Sequence, residues 1–304
     1  MDSRGLPWRR SAAVLAGGAL AALLLRRRAA ADAAERRARL QKRISKLIYG
    51  WASRGGADPG MAFLNYGYAP LDGNGAATGT DADRYGKALY ARVAEAVPLE
   101  DRDVLEVGCG RGGGAAYVVD RFRPRSMVGL DLARSAIERG RREHARSALE
   151  LVEGDAEDLP FADGSFDAVL NVESAHWYPH VETFLTEAFR VLRPGGHLLL
   201  ADLRDAELAD DAGDQLMPRT DMRRFVAQLE ASPFELVERE DITANVRRAL
   251  ELDSPRRRAM IERGFARPLR KQALAFSGVV GTPLYEGLAS GELTYERFVL
   301  RKAA

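Results

Sequence analysis

Between Asp103 and Leu203 short apolar runs alternate with stretches of helical period, and the first run ends directly in a cluster of glycines. No other feature restricts the fold so strongly. The runs are DVLEVG, SMVGLD, LELVEG, FDAVLNV and HLLLADL. Helices are expected from the glycines to about Phe122, from about Ala133 to Ala145 and from about Val181 to Leu192. Repeated strand–helix–strand units require a parallel sheet, because each crossover returns the chain to the same end and lays a helix on one face. Two later segments, FELVERE and YERFVLRK, bring the expected strands to seven. The predicted class is therefore α/β, a Rossmann-like seven-stranded sheet with helices on both faces. Outside it, Asp83–Val97 reads as a helix with Tyr85, Leu89, Val93 and Val97 on one stripe, and Asp253–Phe276 reads as another.

The glycine cluster is Val104–Gly114, VLEVGCGRGGG, and it contains the spacing Gly108-x-Gly110-x-x-Gly113. By itself that spacing suits either a dinucleotide or S-adenosylmethionine. Three further residues separate them. Glu106 would repel a pyrophosphate at the turn but suits a ligand that carries an ammonium group. Asp131 ends the second strand, where a carboxylate can accept from both ribose hydroxyls. Gly154-Asp155-Ala156 ends the third strand, where Asp155 can accept from an adenine amine. Gly108 and Gly110 are expected to touch the ligand, and Gly112–Gly114 to serve the turn and helix packing. Cys109, Leu132, Ala156 and Asn171 complete the expected cofactor set. No metal site is expected.

The set E-x-G-x-G, G-L-D, G-D-A-x-x-L-P-F, F-D-A-V and L-R-P-G-G resembles the class I S-adenosylmethionine-dependent methyltransferases over about residues 101–202. The resemblance implies S-adenosyl-L-methionine as cofactor. It also implies that Leu192–Gly196 is a turn before the fifth strand. Methyl transfer from a sulfonium is a displacement that needs alignment and, for a protonated nucleophile, a base. The fourth strand ends in Asn171-Val172-Glu173-Ser174-Ala175-His176-Trp177-Tyr178-Pro179-His180, at the sheet end where ligands lie. His176 is the general-base candidate, with Glu173 to orient it or to pair with substrate. His144, His180 and His197 read as structural or solvent-facing. Tyr66 and Tyr68, within Phe63–Pro70, are candidates to close over the sulfonium with their ring faces, and Trp177 and Tyr178 to line the acceptor side.

FLNYGY, EVGCGRGGG, GDAEDLPF, VLNVESAHWYPH and LRPGGHLLLADLR together resemble the phthiotriol/phenolphthiotriol dimycocerosates methyltransferase family. DITANV, FSGVVGT and GELTY extend the likeness, which runs from about Phe63 to Lys302. It implies O-methylation of a hydroxyl on a hydrophobic lipid or polyketide-derived acceptor. Methylation of a fatty-acid carboxyl, C-methylation of a sterol- or quinone-type molecule, and a membrane-tethered S-adenosylmethionine-binding scaffold stay open as alternatives.

The N-terminus differs from that pattern. Ser11–Leu25 is uncharged, SAAVLAGGALAALLL, with arginines at 9, 10, 26, 27 and 28. As a helix it would span about 22 Å, short of the roughly 30 Å hydrocarbon core, a gap that snorkelling arginines can close. A cleaved signal fits the arginine triplet poorly. Residues 26–46 hold nine Lys and Arg against three in residues 1–10, a bias that places the downstream body in the cytoplasm. Three parts are thus expected: a membrane-associating hydrophobic and basic arm (1–46), acting through residues 9–28; a lid and helix (47–100); and the methyltransferase domain (101–304). Beyond residue 54 there are 41 acidic and 32 basic residues, which argues against a nucleic-acid substrate. The single cysteine, Cys109, excludes an intramolecular disulfide. Nothing in the sequence fixes the oligomeric state.

Overall fold

The computed structural model describes residues 32–33, 35–43, 46, 63, 65–72, 81–207, 221–265 and 267–304. Its strands are β1 (Asp103–Val107), β2 (Ser126–Asp131), β3 (Leu149–Glu153), β4 (Phe166–Val172), β5 (Leu192–Asp205), β6 (Glu235–Asp241) and β7 (Leu293–Arg301). The helices are α1 (Arg84–Ala94), α2 (Gly113–Phe122), α3 (Arg134–Glu143), α4 (Val181–Val191), α5 (Met222–Ala231), α6 (Thr243–Gly264), α7 (Arg267–Ala275) and α8 (Pro283–Ser290). Seven strands form one sheet in the order β3-β2-β1-β4-β5-β7-β6. The first five run parallel, while β7 pairs antiparallel with both β5 and β6. The order reverses between β1 and β4, and the crevice beyond their carboxyl ends is where such sheets hold ligands.

Side chains of one strand alternate between two cores. Leu199 and Ala201 of β5, with Tyr295 and Val299 of β7, pack with α1 residues Leu89 and Val93 on one face. Leu198 and Leu200, with Phe298 and Leu300, pack with Phe184 of α4 and Phe225 of α5 on the other. Both faces are covered, which is why these strands read as continuous apolar runs rather than as alternating ones.

Three expectations need correction. The helix expected over 253–276 is two helices, and the first begins ten residues earlier at Thr243. Asp241 Oδ1 accepts the Thr243 N–H at 2.8 Å, an Asx turn that joins the end of β6 to α6 just before its N-cap, Ile242. The turn expected at Leu192–Gly196 is incorporated in β5. Leu192 pairs with Phe166, and regular pairing resumes only at Ala168 with His197. Gly195 in that interval has φ of 77°. The third concerns the boundary at residue 46. The described residues at 32–43 and 46 are helical and touch the folded body. Lys42 Nζ lies 2.7 Å from both Asp155 and Glu157, and Gln41 Nε2 donates to the Trp177 carbonyl at 3.0 Å. This part of the expected arm therefore belongs to the globular unit. Residues 11–25 lie outside the described residues. Among the described ones no helix is long and apolar enough to cross a membrane.

Leu199 is fully buried at the centre of β5, between Leu170 of β4 and Val299 of β7. Leu199→Ala is expected to destabilise the fold by about 2–5 kcal/mol. A lower urea midpoint with an unchanged slope is the check.

Candidate active site

The crevice is built on the turn that follows β1. Gly108, Gly110 and Gly112 have φ of 80°, 55° and 76°, the left-handed region that side chains avoid. A Cβ on Gly108 would stand 2.4 Å from Ser174, so β1 and β4 approach this closely only because no side chain is there. The Gly108 and Cys109 N–H groups donate to the Leu130 carbonyl at 2.8 and 3.0 Å, which ties the turn to β2. Asp131, the last residue of β2, accepts from Gly110 N at 2.8 Å and from Ala133 N at 2.8 Å. Burial raises its pKa to about 6, although these two bonds oppose the shift. Leu132 follows half-buried, and Cys109 and Ala156 are buried.

Glu106 is fully buried. Its Oε1 accepts the Tyr90 hydroxyl at 2.5 Å, and its Oε2 has no hydrogen-bond partner among the described residues. Burial pushes its pKa up to about 7, partly offset by the Tyr90 hydroxyl. Asn171 is equally buried: its Nδ2 donates to the Val107 carbonyl and to Tyr178 Oη, both at 3.0 Å, while Oδ1 has no partner. Two orphaned buried acceptors flank one glycine turn, and such groups are costly unless a ligand supplies donors. The residues present thus fit a small ligand rich in donors and positive charge, as S-adenosylmethionine is.

Past β4 the chain makes a short 3₁₀ turn, Ala175–Trp177, which presents His176. Its Nδ1 lies 2.5 Å from Asp202 Oδ1, on a carboxylate that is fully buried at the end of β5. The other Asp202 oxygen pairs with Arg204 Nη2 at 2.9 Å, and the Arg204 guanidinium stacks 3.7 Å over the Phe225 ring. Burial works against the Asp202 charge, but His176 and Arg204 together hold its pKa below the ordinary carboxylate value. An Nδ1–H held by a carboxylate leaves Nε2 as the basic nitrogen of the ring. The expected orienting residue, Glu173, faces elsewhere. It has φ of 52°, and its Oε1 accepts from Tyr66 N at 2.8 Å and from Tyr295 Oη at 2.9 Å. Burial raises it to about 7. Asp202 was missed because A-D-L in an apolar run reads as strand, and its pairing with His176 depends on β4 and β5 being neighbours.

The expected lid residues divide. Tyr66 joins the crevice to the outside: its N–H reaches Glu173 and its hydroxyl donates to the Phe276 carbonyl at 3.2 Å. The Tyr68 N–H donates to the Tyr85 carbonyl at 3.0 Å. The Trp177 ring lies 5.5 Å from that of His176. Tyr178, expected on the acceptor side, instead binds Asn171 and Ser174 through its hydroxyl and packs on Phe184 at 5.0 Å, and so supports the turn from below. Asp155 Oδ2 is taken by Lys42, and Oδ1 by the Glu157 N–H at 3.0 Å. His180 precedes α4 without capping it.

A sheet of this order with a glycine turn and strand-end acid defines the fold of the class I S-adenosylmethionine-dependent methyltransferases. Residues 105–200 match the family model of the methyltransferase domain. The phthiotriol/phenolphthiotriol dimycocerosates methyltransferase of Mycobacterium tuberculosis is 38% identical over 264 residues, covering 86% of this chain and 93% of that one. The fatty-acid O-methyltransferase of Mycolicibacterium smegmatis is 40% identical over 227 residues, 74% of this chain and 78% of that one. The chain belongs to this family of S-adenosylmethionine-dependent methyltransferases. Among solved structures, the geranyl diphosphate C-methyltransferase of Streptomyces coelicolor superimposes with a TM-score of 0.60 at 16% identity, over 80% of this chain and 93% of that one. The cyclase SpnF does so at 0.58 and 21% identity, over 79% and 87%. A fold shared with a cyclase shows that the reaction has to be argued from the site.

Carbon-13 NMR of the carboxyls in the cofactor-free protein should show Glu106 titrating at about pH 7. Tyr90→Phe removes a donor that favours the charged form, so the midpoint should move up. A midpoint in the ordinary glutamate range in both proteins would refute the buried environment described.

Proposed function

We propose that the chain transfers a methyl group to the oxygen of a hydroxyl on a hydrophobic, lipid- or polyketide-type acceptor, with His176 as general base and Asp202 as its positioning residue. The observation that carries this reading is the 2.5 Å contact between His176 and a buried carboxylate at the switch-point end of the sheet. When bound, S-adenosylmethionine supplies a methyl group activated by the sulfonium charge. Glu106 and Asn171 would offer their free acceptors to its polar groups, Asp131 would accept from the ribose, and Asp155 would face the adenine. The His176 Nε2 takes the hydroxyl proton, while Asp202 holds the tautomer and stabilises the imidazolium that forms. The names of the relatives from Mycobacterium tuberculosis and Mycolicibacterium smegmatis support a hydrophobic acceptor.

The Mycolicibacterium relative favours a second reading, a fatty-acid carboxyl as acceptor. A carboxylate arrives deprotonated and needs no base. The two readings separate on pH. With a hydroxyl acceptor, kcat rises with pH as the imidazole becomes neutral, and His176→Ala lowers kcat by about 10²-fold or more and removes that rise. Asp202→Asn should also lower kcat with little change in KM. Profiles for wild type and His176→Ala that agree within a factor of a few would favour the carboxyl acceptor.

Residues 9–28 are proposed to associate with a membrane, with the catalytic body on the cytoplasmic side. The support is the uncharged stretch 11–25 and the excess of basic residues that follows it. Deleting residues 1–31 should move the protein from the membrane pellet to the supernatant in high-salt buffer, where the full-length chain stays in the pellet, with turnover on a detergent-dispersed acceptor retained. Deleting through residue 46 also removes Lys42 from Asp155 and Glu157, and cofactor affinity should then fall. Full-length protein already in the supernatant at low salt would end the anchor reading.

A further inference from the structure

A second surface has a composition unlike the rest of the folded body. Residues 256–276 hold seven Arg and Lys against Glu262 alone, on a body that beyond residue 54 is net acidic. Two of the seven are engaged inward. Arg257 is buried, reaching Asp253 at 3.0 Å and the carbonyls of Asn65 and Ser277 at 2.8 and 3.1 Å. Arg256 pairs with Asp253 at 2.6 Å. Of the other five, Arg258, Arg263, Arg267 and Lys271 are exposed along the end of α6 and along α7, and Arg270 is half-buried with its Nε donating to the Phe265 carbonyl at 3.0 Å. Arg267 and Lys271 are one turn apart on the same side of α7. Immediately after them stand two exposed apolar side chains, Phe276 at 75% and Val280 at 42% of full exposure. Arg258 Nη2 donates to the Val280 carbonyl at 3.4 Å, which joins the charged end of α6 to this apolar turn.

We infer that this face docks on an anionic lipid bilayer. The guanidinium and ammonium groups meet lipid phosphates, and Phe276 and Val280 enter the boundary between headgroups and acyl chains. Charge complementarity selects the occupant: the segment that leads into the apolar tip carries five further basic residues against one carboxylate, and Arg258 touches the tip itself. The apolar tip separates a bilayer from a soluble polyanion, which offers it nothing to enter.

The surface is also continuous with the crevice. Phe276 contributes the carbonyl that holds the Tyr66 hydroxyl, and the Tyr66 N–H binds Glu173 at the end of β4. A bilayer seated on Phe276 therefore lies against the segment that covers the active site. Docking here goes beyond the acceptor reading and does not depend on which hydroxyl or carboxyl is methylated.

The N-terminal arm could hold the chain on a vesicle by itself, so the test has to read the surface locally. Hydrogen–deuterium exchange of the full chain would be followed with phosphatidylcholine vesicles, with and without added phosphatidylglycerol. Slower exchange over residues 265–282 is expected only with phosphatidylglycerol, and it should reverse at high salt. In the triple variant Arg258→Gln, Arg267→Gln, Lys271→Gln the vesicle concentration giving half-protection of this segment should rise on the order of 100-fold, from about fivefold per charge. Phe276→Ser keeps every charge and should weaken the protection while leaving its salt dependence. All four positions are exposed or at the surface, and unchanged exchange in the sheet would show that the variants fold. Protection confined to the N-terminal segment, equal protection by neutral vesicles, or protection by single-stranded DNA in place of vesicles would each overturn the inference.

Discussion

The turn after β1 sets the distances on which the rest of the site depends. Three left-handed glycines within five residues fold the chain back sharply, and Asp131 captures the Gly110 N–H across the gap to β2. The absence of a side chain at Gly108 lets Ser174 close to van der Waals distance, which brings the end of β4 against the end of β1. That closeness places Asn171, Ser174 and Tyr178 in one hydrogen-bonded group beneath the turn. It also directs the 3₁₀ turn that follows toward β5, where His176 finds Asp202.

Four carboxyls share this small volume, and each is handled differently. Taking a carboxylate out of water costs several kcal/mol after relaxation. A hydrogen bond to a charged group returns only about 1.5–3 kcal/mol. At Glu106 burial, with the neighbouring Asp131, outweighs the Tyr90 hydroxyl and the Ala115 backbone, and the group holds its proton up to about pH 7. Asp131 has two backbone donors, and burial still raises it to about 6. Glu173 has a backbone N–H and a hydroxyl and still titrates near 7. Asp202 meets the His176 ring and pairs with the Arg204 guanidinium, and of the four it alone is held below the ordinary range. The most acidic carboxyl of the crevice is thus the one in contact with the histidine, which suits a base that must become cationic.

Local pattern revealed the parallel half of the sheet, because glycine turns and apolar runs are properties of a few adjacent residues. It revealed Glu106 and Asp131 for the same reason, since a strand end next to a glycine turn fixes where each lies. The antiparallel half was less legible. FELVERE and YERFVLRK could be recognised as strands, but their order depends on packing far along the chain, and β7 enters between β5 and β6. The start of α6 was hidden because Asp241 and Thr243 make an ordinary-looking strand end, and the N-cap, Ile242, makes no side-chain capping bond. Glu173 was expected beside His176, and Asp202 was not identified, for a related reason. Glu173 is nearer in sequence, but its left-handed backbone turns the carboxyl toward Tyr66 and Tyr295.

The position of β7 governs how the chain can be made. Among the described residues β6 pairs in the sheet with β7 alone, and β7 follows the other six strands in the chain. During synthesis β5 therefore presents a bare edge of unpaired N–H and C=O groups, the kind of edge that recruits other chains. The Tyr295 hydroxyl that steadies Glu173 arrives on that same strand. A nascent chain can complete its glycine turn early, yet the crevice closes only after translation of residues 293–301. A fragment cut short of them would be an aggregation-prone intermediate rather than a weakened enzyme.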